Sequence, residues 1–115
     1  MSTAAIVRNA IRDAIERIGE RVALVRRGER MGSFPASIQP RFSAGADASG
    51  PAGWGGAGRY MLYAPFDSPA ITAGDEIIVR GRAYHVTQSE DFYLSGELLY
   101  RQAKLFGEDD TSCKA

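Results

Sequence analysis

Residue types that form disulfides, bind metals or act in catalysis are scarce in this chain of 115 residues. It contains one cysteine, one histidine and one tryptophan. Cys113 has no partner for a disulfide within the chain, and its position in the tail offers neither the pocket nor the base of a catalytic thiol. His85 alone does not make a metal-ligand pattern. We therefore expect no cofactor, no metal site and no catalytic residue, that is, a protein that is not an enzyme.

Net charge and long apolar runs are also absent. The 14 basic and 14 acidic residues cancel, whereas domains that bind nucleic acid commonly have a basic excess. Residues 1–59 nevertheless hold nine basic and five acidic side chains, and residues 60–115 hold five basic and nine acidic. This split favours association between copies or with a charged partner, although two solvated faces explain it equally well. Without a long apolar run, no transmembrane segment or signal peptide is predicted, and we expect a soluble protein with no membrane partner.

The first twenty residues have the period of an amphipathic helix. Its apolar residues recur every three or four positions, at Val7, Ile11, Ile15 and Ile18. Ser2 or Thr3 is expected to cap the start of the helix, and Gly19 is expected to end it in the left-handed conformation. Because acidic and basic residues alternate on the other face, we expect the helix to pack on protein rather than on a membrane.

Beyond residue 20 the period changes to two, which is typical of strands. The predicted strands are 22–26, 34–42, 60–64, 76–79, 83–87 and 98–106. Pro35 and Pro40 interrupt the second of them, so we expect an edge strand at best. Since no helix separates the strands, a doubly wound parallel sheet is excluded. The prediction is a mainly β fold, a small antiparallel β-barrel or sandwich with an N-terminal α-helix, as one domain over 1–107 with an acidic mobile tail at 108–115.

Residues 43–58 are predicted to form a long flexible loop. They include six glycines, five alanines and the single tryptophan, and they have no periodicity. Such a long loop is either functional or disordered in isolation. Residues 53–58 match G-x-G-x-x-G, but they lack the preceding strand and following helix of a dinucleotide site, so nucleotide binding is not expected. The candidate functional residues of this loop are Gly45, Asp47, Gly50, Trp54, Gly55 and Gly58.

Two further interpretations rest on polar and aromatic residues. Glu90, Asp91 and Glu97 flank a tight turn at residues 95–96, where solvated turn residues are far commoner than the paired acids of a glycosidase. A small barrel can also stack single-stranded nucleic acid on exposed aromatic rings. The candidates for stacking are Tyr60, Tyr63, Tyr84, Phe92, Tyr93 and Tyr100. A small nucleic-acid-binding β-barrel is therefore the alternative from another class.

Residues 71–86, ITAGDEIIVRGRAYHV, resemble a hairpin of the head–tail joining proteins of tailed bacteriophages, the head-completion or "stopper" proteins of the neck. The shared pattern is Gly-Asp before an apolar strand, then G-x-x-Y-x-V. Residues 96–105, GELLYRQAKL, resemble the strand that follows there. Gly74 and Gly81 permit the turns. The side chains expected to face inward or across strands are Ile77, Val79, Tyr84 and Val86.

This resemblance implies a structural virion protein without catalysis. Copies of the chain, made in the host cytoplasm, would form a homo-oligomeric ring in the neck, a hexamer or dodecamer, and would close or extend the DNA channel. The implied partners are the portal or adaptor proteins of the head, tail terminator or tail-tube proteins, and the phage DNA that passes through. A tail terminator or tail-tube component is the alternative within this class. In such a ring, the loop at 43–58 would be an assembly or channel loop, ordered against neighbouring copies or lining the channel. The candidate docking patch, which a solvated face explains equally well, is Arg21, Arg26, Arg27 and Arg30.

Overall fold

The structure, a computed structural model, describes residues 2–40 and 58–107. Its elements are α1 (Thr3–Ile18), β1 (Glu20–Arg26), β2 (Glu29–Pro40), β3 (Arg59–Pro65), β4 (Glu76–Val79), β5 (Arg82–Leu94) and β6 (Glu97–Gly107). The strands pair antiparallel and close into a barrel in the order β1-β2-β3-β6-β5-β4. The predicted mainly β fold with an N-terminal helix is confirmed, as a barrel. The predicted loop up to residue 57 and the predicted tail lie outside the described residues.

Alternate residues of the strands fill the barrel, as the two-residue period of a strand requires. The largest fully buried side chains include Leu24, Leu62, Ile77 and Leu105. The inward positions predicted for the β4–β5 hairpin are confirmed, since all four belong to the buried core: Ile77, Val79, Tyr84 and Val86. Ile71, in the segment between β3 and β4, is buried in the same core.

Three of the connections are two-residue hairpin turns that share one backbone conformation and have glycine as the second residue. They consist of Arg27-Gly28, Arg80-Gly81 and Ser95-Gly96. The first residue of each turn has a φ of 50–53° and the glycine a φ of 79–81°. Two successive positive φ angles define the type I′ turn, whose twist matches that of the strands and which favours glycine second. The turns predicted at residues 80–82 and 95–96 are confirmed.

The prediction for β2 was wrong in its start and in its edge position. The strand begins at Glu29, pairs with β1 as far as Ala36, and then pairs with β3 from Ser37 to Pro40. It therefore links two ladders within the barrel. Its prolines are tolerated because Pro35 lies where the strand pairs with β1 alone and Pro40 is the last residue of the strand.

Strands β5 and β6 are longer than predicted and project from the barrel. β4 pairs with β5 only from Arg82 to His85, whereas β5 continues to Leu94. Two extra residues, Thr87 on β5 and Leu99 on β6, interrupt the register of this hairpin. Such bulges bend and twist a hairpin. Because neighbouring strands alternate in direction, the β1–β2 and β5–β6 turns lie at one end of the barrel and the β4–β5 turn lies at the other.

Helix α1 packs across β2, β3 and β6. Ser2 caps its start, since its hydroxyl accepts a hydrogen bond from the Ala5 N–H at 3.0 Å. Ala4 and Ile15 are the buried residues of the helix. The predicted apolar stripe is wrong at its end, because Ile18 is 67% exposed.

Gly19 ends the helix, but not in the left-handed conformation that the sequence predicted. Its φ is −91° and its ψ −171°, which is extended backbone. A Cβ atom at Gly19 would lie 2.4 Å from the Ala36 carbonyl oxygen and 2.6 Å from that of Ile15. Glycine is therefore required here by the close approach of two backbones rather than by a positive φ.

Candidate functional site

Two arginines fix the helix to the end of the barrel that carries the β5–β6 turn. The guanidinium carbons of Arg8 and Arg12 lie 4.3 and 5.7 Å from the centre of the Phe66 ring, within the range of cation–π contact. Arg8 also pairs with Glu97 at 3.5 Å, and Arg12 pairs with Asp67 at 3.6 Å. The helix therefore has a defined position against both the β5–β6 hairpin and the segment that follows β3.

A groove of about 280 Å³ lies between the helix and the outer face of the barrel. It is lined by Ile11, Ala14, Ile15, Ile18, Ser37, Gln39, Tyr63 and Tyr100. The Tyr100 ring stacks on Phe92, with ring centres 4.8 Å apart, and lies 6.3 Å from the centre of the Tyr63 ring. Burial raises the pKa of Tyr100, with smaller contributions from Tyr63 and Glu90. The three rings form one packed row beside the groove.

The six aromatic residues considered for nucleic-acid stacking do not share one surface. Tyr84 is buried in the barrel core, and its ring centre lies 5.1 Å from that of Tyr60 in an edge-to-face arrangement. Tyr63, Phe92 and Tyr100 contact one another beside the groove. Tyr93 is the only one of the six that is more than half exposed, at 61%. Within the described residues these side chains therefore do not form the row of exposed rings that single-strand binding uses.

The four arginines of the predicted docking patch are divided between the two ends of the barrel. Arg26, Arg27 and Arg30 lie at the β1–β2 turn, whereas Arg21 lies near the start of β1. The Arg26 guanidinium is bound within the chain. Its Nε and Nη2 atoms donate to the two carboxylate oxygens of Asp75 at 2.8 and 2.9 Å, and Nη2 also donates to the Ala70 carbonyl at 3.0 Å. Arg21, Arg27 and Arg30 are exposed.

Asp75 is a buried carboxylate, 2% exposed, that organises the segment between β3 and β4. Besides Arg26, the backbone N–H and the hydroxyl of Thr72 donate to it at 2.8 and 3.2 Å. The hydrogen bonds from Arg26 lower the pKa of Asp75 and outweigh the opposing effect of burial. The Asp75 carbonyl accepts from the Val86 N–H at 2.9 Å, so this residue extends the β4–β5 ladder by one step.

Sequence reasoning placed Asp75 in a turn but missed its partner. The available signal was the position of a carboxylate directly before an apolar strand, since a buried carboxylate requires a cation or several donors. That signal does not say which of 14 basic residues supplies the cation. Arg26 lies 49 positions away in the chain.

The β1–β2 turn and the first residues of β2 form a surface that we call the basic tip, residues 27–31. Arg27 and Arg30 are exposed there, with Glu29 between them. The β1–β2 register skips Met31, which is a bulge residue with 44% of its surface exposed. The tip thus combines two cationic side chains, one carboxylate and one apolar side chain, with a net charge of +1.

We call the part of the β5–β6 hairpin that lies beyond the β4 pairing the acidic arm, residues 88–99. Asp91 lies in β5 and pairs with Arg101 of β6 at 3.0 Å, and Glu97 faces Arg8 of the helix. Glu90 is exposed. Tyr93 and Leu94 are exposed at the end of the arm, directly before the Ser95-Gly96 turn. The arm therefore presents a carboxylate and two apolar side chains.

The candidate loop residues fall mostly beyond the described part of the chain. Gly45, Asp47, Gly50, Trp54 and Gly55 lie outside it. Gly58 precedes β3 with a φ of +80°, and its carbonyl accepts a hydrogen bond from the Gly107 N–H at 2.7 Å. A Cβ atom at Gly58 would lie 2.9 Å from the Gly107 carbonyl oxygen. Gly58 therefore closes the pairing of β3 with β6.

His85 is a partly exposed histidine of β5, as predicted, with its Nδ1 3.7 Å from a carboxylate oxygen of Glu76 on β4. Residues 2–40 and 58–107 contain no group of three or more His, Cys, Asp or Glu side chains that could hold a metal ion. Within the same ranges, no helix is long and apolar enough to cross a membrane.

Comparison of the chain with protein-family models, with curated proteins and with solved structures gave no match.

Proposed function

We propose that the chain is a structural subunit of a tailed-phage neck. Several copies form a ring that joins the DNA-filled head to the tail and closes or extends the DNA channel. The observation that carries the proposal is the pair of surfaces with opposite charge, the basic tip and the acidic arm, on a closed barrel. They expose charged and apolar side chains together, which is typical of surfaces that meet another protein.

The resemblance to neck proteins covers a contiguous part of the barrel. Residues 71–86 include the whole β4–β5 hairpin as far as Val86, and residues 96–105 fall on the turn before β6 and on most of that strand. Since β5 and β6 are neighbours, the two matching stretches form one three-stranded piece of the wall. We place the chain next to portal or adaptor proteins on the head side and tail terminator or tail-tube proteins on the other.

The nucleic-acid-binding alternative has less support. Its stacking residues are buried or packed against one another, apart from Tyr93. In addition, the acidic arm would repel phosphates at the end of the barrel where the basic tip lies. A tail terminator or tail-tube component uses the same surfaces and remains the alternative within the class.

The experiment is in vitro joining with particles of the virus that encodes the chain. Purified protein is mixed with tailless heads and with free tails, and bound protein is measured after sedimentation. We expect it to co-sediment with at least one particle and to allow heads and tails to form infectious virions. Protein that stays in the supernatant with both particles contradicts the proposal. Salt-sensitive affinity for single-stranded DNA, with no particle binding, would favour the alternative.

A further inference from the structure

Among residues 2–40 and 58–107, no strand pairs with the outer edge of the acidic arm. From Gln88 to Leu94, β5 is hydrogen-bonded to β6 on one side, and its pairing with β4 ends at His85. These seven positions contain no proline and no lysine, the residues with which proteins commonly block such edges. An open edge presents backbone donors and acceptors, so its natural occupant is another extended segment.

The charge of this edge disfavours pairing with itself. Glu90 lies near the middle of the edge and is exposed to solvent. Two arms paired about a two-fold axis would bring both Glu90 side chains close together, and like charges on neighbouring strands are destabilising. The edge therefore favours a basic partner over a second acidic arm.

The basic tip of the same chain has the complementary chemistry. Arg27 and Arg30 are exposed and, among the described residues, neither forms an ion pair. Met31 offers an exposed apolar side chain, as Tyr93 and Leu94 do at the end of the arm. The tip and the arm belong to different hairpins that are not neighbours in the barrel.

We propose that the acidic arm of one copy docks on the basic tip of the next copy, with Glu90 facing Arg27 and Arg30. This inference rests on the proposed function, in which copies form a ring, and it identifies the contact between neighbouring copies. Two different surfaces meet, so each bound copy leaves one arm and one tip open, and the contact repeats until a ring closes. Tyr93, Leu94 and Met31 supply the apolar part of the interface.

A charge exchange tests this contact. Glu90→Arg and Arg30→Glu are made singly, and self-association is measured by sedimentation velocity for each variant and for their equimolar mixture. We expect each variant alone to associate at least about tenfold more weakly than the unaltered protein, because like charges then meet at every contact. In the mixture, the altered arm of one variant meets the altered tip of the other with opposite charges, and the unaltered arm and tip also pair, so association returns.

Glu16→Arg and Arg17→Glu, on the exposed face of α1, are the matched controls and should associate normally.

Cross-linking locates the contact independently of charge. In a Cys113→Ser background, the double variant Glu90→Cys/Arg30→Cys should form disulfide-linked ladders of several copies, and each single variant should remain uncross-linked. Efficient dimers of the Glu90→Cys variant would show that two arms meet and would overturn the proposal. So would charge variants that associate as the unaltered protein does, or a mixture that fails to recover.

Particle joining, measured in parallel, separates this inference from the proposed function. Protein that joins heads or tails without forming the ladder keeps the neck function and contradicts the arm-to-tip contact. A ladder without particle joining supports the contact and contradicts the neck function.

Discussion

At the scale of single residues, the ion pair between Arg26 and Asp75 holds the segment between β3 and β4 in place. Replacing Asp75 with Asn removes the charge and weakens bonds to both Arg26 and Thr72. We expect Asp75→Asn to lower Tm by roughly 5–10 °C, given the usual contribution of charged hydrogen bonds in a domain of this size. Thermal unfolding followed by circular dichroism measures it. Glu16→Gln, on the exposed face of α1, is the control and should leave Tm nearly unchanged.

The same carboxylate makes stability depend on pH. Its pKa in the folded protein is lowered from the usual 3.8. The stabilisation is therefore complete above about pH 4 and is lost as pH falls through the lowered value. We expect the difference in Tm between the unaltered protein and Asp75→Asn to be constant from pH 5 to 7 and to shrink below pH 4. A difference that grows at low pH would contradict this assignment of charge.

At the scale of elements, the junction of α1 and β1 depends on Gly19. A Cβ atom there overlaps two backbone carbonyls, which cannot move without shifting the helix or β2. We expect Gly19→Ala to lower the free energy of unfolding by about 3 kcal/mol, the upper part of the range for overpacking. Gly28→Ala is the matched control, because it has a φ of +79° but open space around the added atom. Gly28→Ala should lower the free energy of unfolding by about 1 kcal/mol. Urea unfolding measures the loss for both variants. Equal losses would contradict the close-approach explanation.

The elements that the sequence predicted well are those with local signals. The spacing of Val7, Ile11 and Ile15 predicted the helix, and the glycines at positions 81 and 96 predicted the turns of the later hairpins. The length of the acidic arm was not predictable in the same way. Residues 88–91 are all polar and residues 92–94 are all apolar or aromatic, so the alternation typical of a strand is lost where β5 continues beyond its pairing with β4.

The candidate site was predicted less completely, because it depends on contacts between distant parts of the chain. The basic residues at the β1–β2 turn were visible as a cluster, but the sequence did not show that Arg26 is bound to Asp75. It also did not show that Arg21 lies at the other end of the strand. The sequence also did not predict that β2 pairs first with β1 and then with β3, because this pairing follows from closure of the barrel. Pro35 indicated an edge strand instead.

At the scale of the whole molecule, the proposed contact between the acidic arm and the basic tip predicts self-association that is sensitive to salt. Exposed charges are screened over about 10 Å at 0.1 M salt and about 3 Å at 1 M. We expect association to weaken severalfold between 0.05 and 0.5 M sodium chloride, measured by sedimentation velocity. Association that strengthens with salt would mean that apolar contacts alone join the copies.

The most direct test of the central claim is electron cryo-microscopy of tailless heads and free tails after incubation with the purified protein. The account predicts a closed ring of copies at the DNA exit of the head or at the head-proximal end of the tail. The barrels would be joined side by side through the acidic arm and the basic tip. Bare heads and tails, or copies scattered along released DNA, would contradict it.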